Sequence, residues 1–214
     1  MKLWKMMVGG MFVLSAIIGL IGSRSYTNLL KDENNINKFS VAPMKEGMMD
    51  LPEEEYLEVL NKSPIVLRVM TEGSRKYING GIRQPVKVLQ VYKGNNDIIA
   101  DKIELLTTRT FFDFRQMTFN TGFVNLMKQG MEYLVFCDEK IASPFEGDAK
   151  LYRVSDMVIN PIFSYIDVKN VISKNTDRYV SYPYFSTSEF FAQDENTLNK
   201  FMNLKRTLFL QYPR

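Results

Sequence analysis

Residues 86–95, VKVLQVYKGN, carry apolar side chains on both of the faces that an extended strand would present. Val86 and Val88 point one way and Leu89 and Val91 the other, since successive side chains of a strand alternate. The run stops at Lys93-Gly94, a turn signal. A half-exposed sheet would keep one parity polar, whereas a small closed barrel buries its inner parity and has part of its outer one covered by helices or loops. The change of parity between Val88 and Leu89 is also what a β-bulge produces, and bulges let a long strand bend round a barrel. The pattern predicts a curved, covered strand.

The flanking sequence supplies partners for it. PIVLRVM, residues 64–70, sets Ile65, Leu67 and Val69 on one face and Val66, Arg68 and Met70 on the other. INGG at 78–81 reads as a turn. In DKIELLTT, Ile103 and Leu105 alternate with Glu104 and Leu106, MEYLVFC starts directly after Gly130, and AKLYRV follows FEGD. Short strands between Gly and Asn turns predict antiparallel β structure. Two helices flank them. DLPEEEYLEVLNKS predicts a short helix with Asp50 as N-cap, Pro52 in its first turn, Glu53 completing a capping box, and Tyr56, Leu57 and Leu60 facing inward. With Asp194 as N-cap, ENTLNKFMNLKRTLFLQ places Leu198, Phe201, Met202, Leu208 and Phe209 on one face as a cover.

The first thirty residues carry a different signal. Lys2 and Lys5 precede the uncharged stretch Met6–Gly22, whose seventeen residues span roughly 25 Å as a helix, close to the lower limit for a hydrocarbon core. LIGS offers poor small-residue pairs for cleavage, so an uncleaved signal anchor with the lysines inside is expected. A secreted, cleaved form is the alternative. Residues 1–23 are read as the transmembrane anchor, 24–49 as a tether, 50–160 as the barrel, and 161–214 as an aromatic segment and helix packed on it. The body is then extracytoplasmic on a single-pass membrane protein. One cysteine, Cys137, excludes an intramolecular disulfide, and its place at the end of an apolar run reads as a buried small hydrophobe. Setting Lys2 and Lys5 aside leaves 25 basic residues of 27 against 24 acidic ones, which argues against nucleic acid as a partner.

The order of these pieces resembles the netrin-like module shared with tissue inhibitors of metalloproteinases and similar exported bacterial proteins. The residues that carry the resemblance are Val91-Tyr92-Lys93-Gly94 and Gly130-Met131-Glu132-Tyr133-Leu134, within about residues 55–155. The resemblance implies an OB-like five-stranded antiparallel barrel, mainly β, with a short N-terminal helix and a C-terminal helix. The inhibitors' free N-terminal cysteine and disulfides have no counterpart here, so the resemblance implies the fold and not their activity.

With no histidine in the chain, the Ser-His-Asp triad, the Cys-His dyad and histidine zinc ligation are excluded. Ser-Lys chemistry, at Ser23, Ser25 or at Ser63 beside Lys62, and carboxylate pairs remain as an enzymatic alternative. Met44, Met48 and Met49 have a spacing for soft copper ligation but lack a supporting ligand, so neither metal nor other cofactor is expected. Two aromatic clusters are the better candidates for a working surface. TRTFFDFRQMTF offers Arg109, Phe111, Phe112, Phe114 and Arg115, and RYVSYPYFSTSEFF offers Tyr182 and Tyr184. The expectation is a non-catalytic binding or assembly module at the cell envelope, acting on a protein, peptide or envelope component. The alternatives are an envelope enzyme and an immunity or resistance protein that sequesters a peptide. In both clusters the competing reading is that the rings pack the barrel end.

Overall fold

The computed structural model describes residues 15, 33–48, 52–78, 81–99, 101–142, 150–173 and 178–214. The anchor expected over residues 1–23 lies outside the described residues, apart from Ser15. Among those described, no helix is long and apolar enough to cross a membrane. Contacts divide the chain into two units, Met1–Asn35 and Ile36–Arg214, and the second carries the fold.

Its elements in chain order begin with β1 (Ser40–Val41), α1 (Glu53–Asn61), β2 (Ile65–Thr71), β3 (Lys76–Ile78), β4 (Gly81–Lys93) and β5 (Lys102–Thr107). The short strands β6 (Phe111–Asp113) and β7 (Thr118–Asn120) come next, then β8 (Glu132–Ile141), β9 (Lys150–Val154) and β10 (Ile162–Ser164). The chain ends with β11 (Val180–Ser181), α2 (Tyr182–Phe185) and α3 (Glu195–Gln211). Five strands close a ring. β2 pairs antiparallel with β4 and β8, β4 antiparallel with β5, β5 parallel with β9, and β9 antiparallel with β8. The expected antiparallel barrel is therefore corrected at one seam. A parallel pair needs a long connection, and β5 and β9 lie on either side of the segment that holds β6, β7 and β8.

The bulges fall where the parity of residues 86–95 breaks. Val69 faces Val88 and Arg68 faces Gln90, which leaves Leu89 unopposed; Leu67 then faces Val91 and Val66 faces Lys93, which leaves Tyr92 unopposed. Each extra residue reverses the alternation. Val88 and Val91, of opposite parity, both join the barrel interior with Leu67, Val69, Ile103, Val135 and Cys137. The outer parity of β2 and β8, Val66, Leu134 and Phe136, belongs to a second cluster that includes Tyr56, Leu60, Phe201, Leu204 and Leu208. Two central strands are thus buried on both faces, one by the interior and one by the α1–α3 cover. Each fully buried Leu or Phe in such a layer contributes about 1.5–3 kcal/mol relative to exposure.

The helix ends differ in how far they follow expectation. Asp194 caps α3, its Oδ1 accepting from Thr197 N at 2.7 Å and its Oδ2 from Thr197 Oγ1 at 2.9 Å. At α1 the N-cap position is Pro52, with no side-chain cap. Asp50, and with it the expected capping box, lies outside the described residues; Glu53 Oε1 accepts from Thr207 Oγ1 of α3 at 3.1 Å. Residues 36–44, expected as part of the tether, are built into the body: Phe39, Val41 and Met44 are fully buried. β1 is held between β7 in parallel and β11 in antiparallel.

Candidate functional site

β6 and β7 form a hairpin in register Phe111–Asn120, Phe112–Phe119 and Asp113–Thr118. The pattern FFDF is too short for a periodicity to register, so the sequence does not announce this hairpin. Asp113 shapes its turn, Oδ1 accepting from Arg115 N at 2.8 Å and Gln116 N at 3.1 Å. This is the local competition by which Asp favours turns. Behind the hairpin stands Phe39, fully buried, whose ring meets Phe112 at 5.4 Å, Phe114 at 5.7 Å and Phe119 at 6.2 Å, all edge-on. Phe112 stacks on Phe119 at 5.2 Å and meets Tyr77 of β3 edge-on at 5.3 Å. Edge-on and offset pairs stabilise beyond area burial by about 0.5–1.5 kcal/mol each. The hairpin is therefore braced from behind.

The expected residues divide between surface and packing. Phe111 is 54% exposed and Phe114 41%, and Arg115 is exposed. Phe112 is half-buried among the rings just described. Arg109 pairs with Asp156. Tyr182 is buried, its ring 5.1 Å from Phe119 and its hydroxyl donating to Asn125 Oδ1 at 3.0 Å. Tyr184 is exposed, but its hydroxyl donates to Ile172 O at 2.8 Å and its ring meets Phe185. Arg109, Phe111, Phe112, Phe114 and Arg115 thus lie on or beside one hairpin, and Tyr182 joins them from beneath.

Sequence reasoning missed a buried polar network between α3 and β10. Lys205 of α3 and Glu189 form an ion pair at 2.6 Å with both side chains 4% exposed. Glu189 Oε1 also accepts from Ser164 N at 2.7 Å. Burial pushes the Glu189 carboxyl above its ordinary range, against the pull of the Lys205 ammonium. Glu189 lines a small cleft with Lys128, Tyr133, Ser164 and Ser188. Desolvation lowers the Lys128 ammonium from its usual range, and its Nζ donates to Thr187 O. The hydroxyl of Ser164 accepts from Ile166 N and that of Ser188 from Val171 N, while Lys205 Nζ is spent on Glu189. The Ser-Lys hydrogen bond that activates such a nucleophile is not among these contacts.

The other chemical candidates lie elsewhere. Ser63 is buried, 3.4 Å from Ser155 Oγ, while Lys62 pairs with Glu58. Ser23 and Ser25 lie outside the described residues, as does Met49; Met44 is core and Met48 exposed. Among the described residues no group of His, Cys, Asp or Glu is placed to hold a metal ion. Cys137 is fully buried, and desolvation raises its thiol well above the usual range.

Fold and site together define a closed five-stranded barrel that carries a braced aromatic hairpin between its third and fourth strands. No family model matches the chain, and no curated protein matches it.

Proposed function

We propose that the protein is a non-catalytic binding module, anchored by its N-terminal segment to a bacterial membrane with its body outside, and that hairpin β6–β7 grips a protein or peptide partner. One observation carries this reading: Phe111 and Phe114 stay exposed, Phe114 with one edge on Phe39, on an element whose ring Phe112 is locked on Phe39 and Tyr77. Aromatic anchors held rigid before binding lose little entropy on contact, which is how a few residues come to dominate an interface. Arg115 beside them adds a donor for backbone carbonyls or carboxylates. A peptide-sequestering immunity role would use the same surface. The netrin-like resemblance is retained at the level of fold, supported by a barrel whose β4 ends at Lys93 and whose β8 starts just after Gly130.

The test is a comparison of co-purified partners between the full chain and its Phe111→Ala/Phe114→Ala variant, with Arg115→Ala alongside. Loss of about tenfold or more in one captured species is expected for hot-spot rings, with a small fall in melting temperature because Phe114→Ala removes the edge-on contact with Phe39. An unchanged partner set with intact folding would count against the hairpin. Cell fractionation with the mature mass tests the anchor: recovery in the membrane fraction at full mass supports it, and loss of about two dozen residues, the length of a signal peptide, shows cleavage.

A second reading, an envelope enzyme using carboxylate chemistry, is favoured by the raised Glu189 carboxyl at its small cleft. Both of its oxygens are already engaged, by Lys205 and by Ser164 N, which suits a clamp between β10 and α3 better than a base.

A further inference from the structure

β6 is the terminal strand of the four-stranded sheet ordered β11-β1-β7-β6, so among the described residues one of its sides carries no neighbouring strand. The pairing on its other side fixes which backbone groups look out. β7 runs parallel to β1 with Ser40 opposite Thr118, and Ser40 N donates to Met117 O at 2.8 Å. In a parallel ladder that bond is completed by Phe119, which therefore turns its N–H and C=O to β1. The groups of successive residues alternate between the two sides of a strand, so Thr118 and Asn120 turn theirs to β6, where they meet Asp113 and Phe111. Phe112 lies between those two, and its N–H and C=O face the open side. The contact that Tyr77 makes there is with the Phe112 ring and is not a strand pairing, since β3 pairs with β4.

We infer that the partner is taken as an extended segment, added to β6 as a further strand of this sheet, with the Phe112 N–H and C=O pairing to its backbone. The inference rests on the binding reading above and names the form of the bound chain. Sheet edges are commonly guarded by lysine, proline, a bulge or a cover. FFD carries no lysine or proline and leaves Phe111 54% exposed. A donor and an acceptor on one residue match a residue of an extended chain, which offers the same two groups in reverse. Alternate side chains of the added strand fall on the Phe111 face, because Phe39 and Phe119 close the face that Phe112 occupies. Charge narrows the segment further. Arg109 is paired with Asp156 and Asp113 Oδ1 holds the turn amides, while Arg115 is exposed at the turn. An apolar segment with a carboxylate beside Arg115 fits that arrangement. So short an edge supplies only about two hydrogen bonds, so the pairing sets register and the rings supply the contact area. A second copy would bring another three-residue strand on a folded body, too little to approach the ~1,000 Å² of a specific interface.

The probes are blocked peptides alternating valine and threonine with a glutamate at one end or the other, a copy N-methylated at its consecutive central residues, and a copy with lysine for glutamate. Each is titrated into the full chain while amide exchange along the hairpin is followed by NMR. In the free chain Phe112 is expected to exchange about tenfold or more faster than Phe111 and Asp113, whose amides β7 holds. A glutamate peptide is expected to slow Phe112 saturably, and the methylated copy, which has no donating edge, is not. The lysine copy is expected to bind about two- to tenfold more weakly, a difference that Arg115→Ala removes. Slow exchange of Phe112 in the free chain, equal binding of the methylated copy, or absence of saturation overturns the added strand. Protection of Phe112 that grows with protein concentration alone, with a doubled mass in sedimentation, gives the edge to a second copy and overturns it too. Partner capture lost in Phe111→Ala/Phe114→Ala, with no peptide protecting Phe112, sinks the added strand alone. Capture indifferent to those rings sinks the binding reading and this inference with it. Displacement of the captured species by a glutamate peptide, and not by its methylated copy, supports both.

Discussion

Gly122 shows how a single backbone position sets the geometry around the hairpin. Its φ is +61°, and a Cβ there would lie 2.8 Å from Asn160 N. Gly130 has a φ of +73° but open space around it. Gly130→Ala is expected to cost about 1–2 kcal/mol for the left-handed backbone alone, and Gly122→Ala about 3 kcal/mol or more because a steric clash is added. Urea unfolding of the two variants measures the difference; equal costs would mean that the approach of residues 122 and 160 is looser than described. Tyr133 makes a pH-dependent prediction. Burial raises its phenol to about 12 from the usual 10, while its hydroxyl accepts from Lys128 N at 2.7 Å. Between those values the unfolded chain loses the proton and the folded one keeps it. Stability is therefore full below about pH 10 and falls as pH rises toward 12, by about 2 kcal/mol from this residue. Tyr133→Phe is expected to make that alkaline fall shallower in denaturant midpoints taken across the range, and an unchanged slope would contradict it. At this scale the sequence was legible where side-chain chemistry acts locally, as for Asp194 as a cap and Cys137 as an inert core thiol. It was silent on Gly122 and Asn160, whose meeting depends on chain segments that only the closed fold brings together.

α3 is the element in which local pattern and tertiary context part company. The helical period points Phe201 and Leu208 inward, and both are fully buried, with Leu198, Met202 and Phe209 packed at the margin. The same face also buries Lys205, which a binary pattern assigns to solvent. The reason is Glu189, sixteen residues earlier in an irregular segment, whose carboxylate meets the ammonium. Removing one partner strands the other's charge. Lys205→Ala is expected to cost about 3–5 kcal/mol, while Lys205→Met with Glu189→Leu is expected to be within about 1 kcal/mol of the native chain or more stable. Thermal or urea unfolding decides, and a Lys205→Ala variant of native stability would remove the clamp from the account. The hairpin β6–β7 was hidden for the opposite reason. Its strands are three residues long, below the length at which alternation is visible, and its rear support, Phe39, sits in a polar stretch where one ring gives no periodic signal.

For the whole molecule, the doubled apolar pattern in VKVLQVYKGN follows from closure. A strand inside a ring has one face on the core, and the cover of α1 and α3 supplies the other for β2 and β8. The bulges at Leu89 and Tyr92 bend β4 so that the ring can form. What the sequence could not disclose is the seam. β5 and β9 are remote in the chain, and nothing in either strand encodes that they run parallel. Residues 36–44 were also opaque, since a segment held between β7 and β11 need not carry the composition of a core strand. The functional reading depends on closure, because the hairpin is mounted on the β5–β8 connection. The seam is therefore the place to test. Backbone NMR of the full chain should show cross-strand contacts between Ile103 and Lys150 and between Leu105 and Tyr152, with slowly exchanging amides in both β5 and β9. Rapid, edge-like exchange in β5, or contacts of β9 with β8 alone, would mean an open sheet and would contradict the account.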